Sequence, residues 1–205
     1  MTKIAVLVSG GGTNLQALID AWKKNELGGG ELSLVISSRA GVGALERAEK
    51  AGIRAITIER KKYSCLADFD AAIAAALSEN DIGLVVLAGF LSILGKRTLQ
   101  SYEDRIINVH PALIPSFCGK GFYGLRVHEE ALKYGVKVTG ATVHFVNDVI
   151  DGGKIILQKA VDVLPDDTPE TLQQRVMREA EWVLLPKAVA MLCKRMKNEE
   201  WGIRN

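Results

Sequence analysis

Two polar side chains stand at the end of an otherwise apolar segment, IINVHP at residues 106–111. Residues two apart share one face of a strand, so Asn108 and His110 should project together, and Pro111 should stop the strand directly after them. An amide that donates hydrogen bonds beside an imidazole that moves protons can stabilise an oxyanion and transfer a proton. We therefore predict an acid–base site at this strand end.

A second polar segment, HFVNDVIDGGKII at residues 144–156, carries two aspartates. Asp151 directly precedes two glycines, a turn signal, so we expect it to serve only the turn. Asp148 is the stronger chemical candidate, because a carboxylate beside an imidazole orients the ring and favours its charged form. Asp148 is therefore the expected partner of His110, which requires the fold to bring residues 110 and 148 together, while His144 is either a packed histidine or a contact of the active site.

The segment SGGGTN at residues 9–14 follows an apolar run and opens a helical pattern. Unpaired backbone N–H groups and the helix dipole at such a point favour an anion. No third glycine completes a dinucleotide motif, and no Lys-Ser/Thr pair completes a P-loop, so a single phosphate is the better prediction. The alternative is a tight strand-to-helix turn that Thr13 or Asn14 caps.

Two other kinds of chemistry are less favoured. His110, His144 and Asp148 lack the spacing of a metal-ligand set, so we predict no metal. Cys118 and Ser116 have no evident base partner and no nucleophile-elbow signature, which argues against covalent catalysis. Direct transfer assisted by a proton relay remains.

The elements that must position these residues alternate along the first half of the chain. Short β-branched runs predict buried parallel strands at residues 4–8, 32–37, 53–58, 84–88 and 106–109. Helical spacing lies between them at residues 14–24, 43–51 and 67–78. The pattern predicts an α/β fold with a doubly wound, mostly parallel twisted sheet.

After Pro111 the pattern changes to a Gly/Pro-rich loop, a helix at 125–133, strands at 137–146 and 155–161, and a long helix. This part predicts an antiparallel C-terminal extension of the sheet. Thr168 can cap the long helix with Pro169 in its first turn, and we expect Pro186 to end or kink it. We interpret residues 1–205 as a single domain whose two lobes meet near residue 100.

Composition narrows the classes of function. The chain has 205 residues, and 26 Lys and Arg against 24 Asp and Glu leave a net charge of +2 without a basic block, so we expect no nucleic-acid partner. Its three cysteines lie far apart and form no Cys-x-x-Cys motif, which favours a reducing cytoplasm. The first apolar run is too short for a signal peptide or a membrane span, so we expect no membrane association.

Four segments carry a resemblance to a known family: SGGGTNLQALID, VVLAGFLSIL, INVHPALIPSF and GATVHFVNDVIDGGKIILQ. They resemble the phosphoribosylglycinamide formyltransferases, folate-dependent enzymes of purine synthesis, over essentially the whole chain. The resemblance implies formyl transfer from 10-formyltetrahydrofolate, a co-substrate, to the amine of 5-phosphoribosylglycinamide by direct attack through a tetrahedral intermediate. It implies no metal and a monomer or weak homodimer.

The resemblance also implies roles for individual residues. The catalytic residues would be Asn108, protonated His110 and Asp148, the phosphate would bind Gly12, Thr13 and Asn14, and the folate would contact Leu91, Ser92, Ile93, Leu94 and Asn108. Residues 1–100 would form the phosphate-binding nucleotide lobe, and residues 101–205 the catalytic and folate-binding lobe. Many relatives carry arginine where this chain has Ser92, and some have one near Cys65, so those arginine contacts are missing here.

Three features and three rivals stay open at this point. His128 could border the phosphate site, His144 could contact the active site, and the loop at 117–124 is longer than in some relatives. A methionyl-tRNA formyltransferase would need a C-terminal RNA-binding domain beyond Asn205, and a formyltetrahydrofolate hydrolase usually has an extra N-terminal domain. A non-catalytic nucleotide-binding module would make the polar strand end incidental.

Overall fold

In the computed structural model, which describes residues 1–203 and the side chains of residues 1–198, seven strands form one sheet. They are β1 (Thr2–Val8), β2 (Gly30–Ser37), β3 (Ala55–Thr57), β4 (Leu84–Leu87), β5 (Ile106–His110), β6 (Val138–Phe145) and β7 (Ile155–Asp162). Their order is β3-β2-β1-β4-β5-β6-β7. Strands β1 to β5 pair in parallel, whereas β6 pairs antiparallel with both β5 and β7. The predicted α/β sheet with an antiparallel extension is confirmed.

Helices cover both faces of this sheet. They are α1 (Thr13–Lys23), α2 (Gly43–Lys50), α3 (Leu66–Glu79), α4 (Lys96–Ser101), α5 (Leu125–Tyr134), α6 (Pro169–Val176) and α7 (Trp182–Ile203), with a π-helical turn at Met177–Glu181. One core layer joins the sheet to α1, α2, α6 and α7, and a second joins it to α3 and α4. The apolar, β-branched strands predicted this arrangement, because a strand buried on both faces needs helices on both sides.

Three elements differ from the sequence prediction. The segment predicted as a strand at 53–58 is a strand only at Ala55–Thr57, where β3 forms the sheet edge with β2 as its neighbour. Helix α4 was not predicted, because its N-terminus is satisfied by the distant Asp70, whose carboxylate accepts from the backbone N–H groups of Gly95, Arg97 and Thr98. Pro186 lies inside α7, which continues to Ile203, so it does not end the last helix, and the alternative of a kink stays a prediction.

The strand order creates a switch point at the carboxyl ends of the parallel strands. Strands β1 and β4 are neighbours, but the chain leaves β1 for one side of the sheet and β4 for the other, which is the switch point where open α/β sheets bind ligands. The segment at 9–14 follows β1, residues 88–95 follow β4, and His110 ends the adjacent β5. The fold therefore brings these three of the predicted functional segments to one edge of the sheet.

Among residues 1–203, no helix combines the length and the apolar character needed to cross a membrane. The division into two lobes, the oligomeric state and the cytoplasmic location stay predictions.

Candidate active site

His110 lies at the centre of a buried polar cluster and is 4% exposed. Its Nδ1 lies 3.6 Å from Oδ2 of Asp151, and its Nε2 lies 2.8 Å from the backbone carbonyl oxygen of Phe117. Asp148 is exposed on the turn that follows β6. The prediction that Asp148 lies beside His110, and that Asp151 serves only the turn, is therefore wrong about where the two carboxylates lie.

Asp151 is both a turn residue and a member of the buried cluster, although its glycine neighbours predicted a role in the turn alone. Its φ of +55° is a left-handed conformation that aspartate tolerates. Gly153 approaches the carbonyl of Phe145 so closely that any side chain there would collide with it, and this contact folds the turn back against β6. The Asx turn expected of an aspartate is made instead by Asn147, whose Oδ1 accepts from the N–H of Val149 at 3.0 Å.

Two further side chains complete the cluster across the β5–β6 pair. Asn108 faces His144 in the register, and its Nδ2 lies 3.2 Å from His144 Nε2. His144 Nδ1 lies 2.8 Å from the carbonyl oxygen of Phe145, so Nδ1 carries a proton, and Nε2 lies between the Asn108 amide and the Asp151 carboxylate. Oδ1 of Asp151 lies 3.6 Å from the same Nε2. His144 thus orients Asn108 and belongs to the polar cluster.

Asp151 is held as a carboxylate by its neighbours. Burial alone would raise its pKa, but His144, the charge of a protonated His110 and the N–H of Gly119, which donates to Oδ2 at 2.8 Å, outweigh burial and lower the pKa below its usual value. The side chain is 10% exposed. A negative charge is therefore fixed beside His110 at neutral pH.

The two partners of His110 determine what its ring can satisfy. Burial lowers the pKa of His110 below its usual value, and Asp151 and the Phe117 carbonyl oppose that effect. Both partners are acceptors, so either neutral tautomer leaves one ring nitrogen facing an acceptor without a proton. Only the imidazolium donates to both. The lowered pKa favours a neutral ring at rest, in contrast to the protonated His110 of the sequence interpretation, and the geometry stabilises the cation once a proton arrives.

The loop after β5 brings two backbone groups to the cluster. Thr142 Oγ1 donates to the carbonyl oxygen of Ala112 and accepts from the N–H of Ile114, which fixes the start of the loop. Phe117 has a φ of +49°, and its ring packs edge-on against Tyr134 at 6.0 Å. The Phe117 carbonyl and the Gly119 N–H are functional groups that sequence analysis missed, because backbone contacts leave no residue-type signal.

The glycine segment forms a tight turn into α1. Gly12 has a φ of +75°, and a Cβ there would lie 2.7 Å from Ala44 Cα, so glycine is required. Thr13 is the first residue of α1, with no side-chain cap on the helix. Arg47 of α2 donates from Nε to the carbonyl oxygen of Gly11 at 2.9 Å and stabilises the turn.

Asn14 is not a free cap, as the alternative interpretation supposed. It is 8% exposed, and its Nδ2 donates to Oε2 of Glu181 at 2.6 Å. Burial raises the pKa of Glu181 to about 7, and Asn14 opposes the shift. Sequence analysis missed Glu181 because the π-helical turn at Met177–Glu181, which holds it, breaks the helical spacing.

Residues 88–95, which we call the β4 strap, cross the same edge. The strap exposes two large apolar side chains, Leu91 at 49% and Ile93 at 59%, while Leu94 is buried and Ser92 is half-buried. At its far end the N–H of Gly95 donates to Asp70 Oδ1 at 2.8 Å. Exposed apolar side chains on an anchored backbone are suited to a flat aromatic ligand.

His128 lies buried on α5, and among the described residues neither of its ring nitrogens has a hydrogen-bond partner. Burial lowers its pKa to about 4, and the charge of His110 adds to the effect. The proposed position beside the phosphate site stays a prediction.

His128 should make stability depend on pH. The unfolded residue takes up a proton near pH 6.5, but the folded one does so only near pH 4. Its contribution is therefore fully present above pH 6.5 and is lost as the pH falls towards 4. Relative to His128→Leu, the wild-type free energy of unfolding should fall by about 2 kcal/mol between pH 7 and pH 5, measured by urea titration. A constant difference would contradict this.

No three His, Cys, Asp or Glu side chains within residues 1–198 are grouped to hold a metal ion. The metal-free reaction stays a prediction to be tested by chelation.

A cleft of about 640 Å³ opens beside the glycine turn between α1 and α7, and its lining includes Thr13, Arg47 and Lys187. The charged residues of the lining are three cations, Lys24, Arg47 and Lys187, and two carboxylates, Asp20 and Glu26.

Comparison with known proteins gives concordant matches. The formyl transferase family model matches residues 2–189. The phosphoribosylglycinamide formyltransferase of Haemophilus influenzae is 38% identical over 92% of this chain and 86% of its own length. The trifunctional purine biosynthetic protein adenosine-3 of Gallus gallus is 45% identical over 93% of this chain, which spans only 18% of that longer protein. The crystal structure of glycinamide ribonucleotide transformylase 1 from Symbiobacterium toebii superimposes with a TM-score of 0.89 at 41% identity, covering 95% of this chain and 88% of that one.

Proposed function

We propose a reaction for this chain, which belongs to the formyl transferase family. It transfers the formyl group of 10-formyltetrahydrofolate to the amine of 5-phosphoribosylglycinamide. The reaction is a step of purine biosynthesis, and both substrates are small molecules. The observation that carries the proposal is the cluster of Asn108, His110 and Asp151 at the carboxyl edge of the sheet, beside a glycine turn for a phosphate. These parts supply an oxyanion donor, a proton carrier and an anion site at one edge of the sheet.

The chemical step needs one bond formed and one broken. The neutral amine attacks the formyl carbon, and the Asn108 amide donates to the oxyanion that forms on the formyl oxygen. Neutral His110 takes a proton from the attacking nitrogen and returns it to N10 of the folate as the carbon–N10 bond breaks. The products are the formylated ribonucleotide and tetrahydrofolate, and no co-reactant is needed.

Asp151 acts through His110. It stabilises the imidazolium that exists between the two proton transfers, because its carboxylate faces Nδ1 at 3.6 Å. The carbonyl of Phe117 occupies Nε2, the nitrogen that points away from Asp151. The substrate amine therefore displaces this carbonyl, and the chain segment around Phe117 shifts when the ribonucleotide binds.

The glycine turn binds the phosphate of the ribonucleotide through Gly12, Thr13 and Asn14. The N–H groups at the start of α1 have no side-chain cap, so they are open to an anion. The β4 strap binds the folate through Leu91, Ser92, Ile93 and Leu94. Because this chain has Ser92 where many relatives carry arginine, position 92 gives the folate no arginine contact.

Thr13→Asp tests the phosphate site without weakening the helix. A carboxylate at the first residue of α1 favours the helix dipole but repels a phosphate at the same N–H groups. We expect the KM for the ribonucleotide to rise at least about tenfold, with the folate KM and the melting temperature unchanged. Gln100→Glu, the same charge change on α4, is the control. An unchanged ribonucleotide KM would place the phosphate elsewhere.

The assignment of substrate is tested by offering three formyl acceptors together: phosphoribosylglycinamide, methionyl-tRNA and water. Wild-type enzyme with 10-formyltetrahydrofolate should formylate phosphoribosylglycinamide and release one tetrahydrofolate per formyl group, in buffer with or without a chelator. Formylated methionyl-tRNA as the main product would identify a tRNA enzyme instead. Free formate as the main product would identify a hydrolase. Loss of activity with chelator, restored by one divalent ion, would contradict the metal-free mechanism.

A further inference from the structure

Ser9, the residue that follows β1, links the two candidate substrate subsites through one hydroxyl. It is 1% exposed, and its Oγ accepts a hydrogen bond from the backbone N–H of Leu91 at 2.8 Å. The same Oγ shares a hydrogen bond of 2.6 Å with Oγ of Ser38, which follows β2. The hydrogen bond between Ser9 and Leu91 crosses the switch point, because Ser9 follows β1 and Leu91 belongs to the β4 strap.

Side-chain acceptors fix the β4 strap at its middle and at its far end. Ser9 accepts from Leu91, and Asp70 accepts from Gly95 at 2.8 Å. Leu91 carries the first anchor on its own N–H and Ile93 lies between the two anchors, so both exposed side chains belong to the fixed stretch. The orientation of that apolar surface therefore depends on a hydroxyl that belongs to the glycine segment.

The glycine turn itself has other supports. The carbonyl oxygen of Gly10 accepts from the N–H of Ala44 at 3.2 Å, and that of Gly11 accepts from Arg47 Nε at 2.9 Å. Both contacts come from α2 and neither involves the Ser9 hydroxyl. Removal of that hydroxyl should loosen the strap and leave the turn in place.

We propose that Ser9 is a positioning residue for the formyl folate, although it lies in the segment that forms the phosphate site. The proposal rests on the proposed function, because it assigns the β4 strap to the folate. Ser9 does not contact the folate. Its hydroxyl accepts the hydrogen bond from the Leu91 N–H and so presents Leu91 and Ile93 to the flat ring of the folate. Without the hydroxyl, the strap loses the free energy of this hydrogen bond.

Ser9→Ala should separate the two substrates kinetically. We expect the KM for 10-formyltetrahydrofolate to rise about tenfold, and the ribonucleotide KM to stay within about twofold. Ser9→Cys, which keeps the size and a weak acceptor, should give a smaller rise in the same KM. Ser38→Ala is the matched control: it removes a partner of Ser9 but leaves the acceptor for Leu91, so both KM values should stay near wild type.

The proposal would be overturned if Ser9→Ala changed both KM values equally, changed neither, or raised only the ribonucleotide KM. It would also be overturned if Ser38→Ala reproduced the folate effect, since packing of the serine pair would then explain it. Calorimetric titration of wild type, Ser9→Ala and Ser9→Cys with tetrahydrofolate gives a second readout that needs no turnover. If wild type binds tetrahydrofolate but transfers no formyl group, the proposed function fails, while a weaker affinity of Ser9→Ala would still support the role of Ser9.

Discussion

Asp151→Asn should lower kcat about 10²- to 10⁴-fold, the usual loss for a group that supports acid–base catalysis. The substitution keeps the shape of the side chain but removes the charge that stabilises the His110 imidazolium. The carboxylate matters most when that cation forms, so the loss should fall on kcat while both KM values stay within about threefold. Initial rates over a matrix of both substrate concentrations provide the measurement.

Asp148→Asn is the matched control, with the same chemical change three residues away. Asp148 is exposed on the turn, so its variant should keep kcat within about twofold of wild type. The opposite pattern, with activity lost in Asp148→Asn and kept in Asp151→Asn, would restore the sequence-based choice of aspartate. A circular-dichroism melt of each variant separates a loss of fold from a loss of turnover.

His110→Gln should be at least as damaging, with kcat lowered about 10³-fold or more. Glutamine can still donate to the Phe117 carbonyl but cannot accept a proton from the amine and return it to N10. Because Asn108 and the β4 strap remain, folate binding should survive, as titration with tetrahydrofolate would measure. His128→Leu changes a buried histidine that the mechanism does not use, and it should keep kcat near wild type at pH 7.5. A His110→Gln enzyme with more than a tenth of wild-type kcat would rule out His110 as the proton carrier.

Local patterns predicted most of the fold. Strand burial and helical spacing identified the parallel core, because each of those elements carries its own periodic signal. Helix α4 has only six residues, and its start depends on Asp70 from another helix, so no local signal could reveal it. The strand predicted at 53–58 covers only Ala55–Thr57, because β3 is an edge strand that pairs through one short ladder with a single neighbour.

The site was predicted in part, and the miss has a physical reason. Asn108 and His110 were recognisable because the two-residue period of a strand places both side chains on one face. Asp151 was set aside because glycines mark a turn, yet the φ of +55° that makes it a turn residue also aims its carboxylate at the cluster. The roles of Phe117 and Gly119 lie in backbone atoms, and Glu181 approaches Asn14 from 167 residues away, so neither could be found by spacing.

The pairing of His110 with Asp151 can be measured directly by nuclear magnetic resonance of ¹⁵N-labelled histidine, titrated with pH in the absence of substrates. Wild-type His110 should have a pKa below its ordinary value, because burial outweighs its acceptor partners. Asp151 raises that pKa, so Asp151→Asn should lower it further, whereas Asp148→Asn should leave it unchanged. A His110 pKa that falls in Asp148→Asn and stays constant in Asp151→Asn would contradict the assignment of Asp151 as the partner of the catalytic histidine.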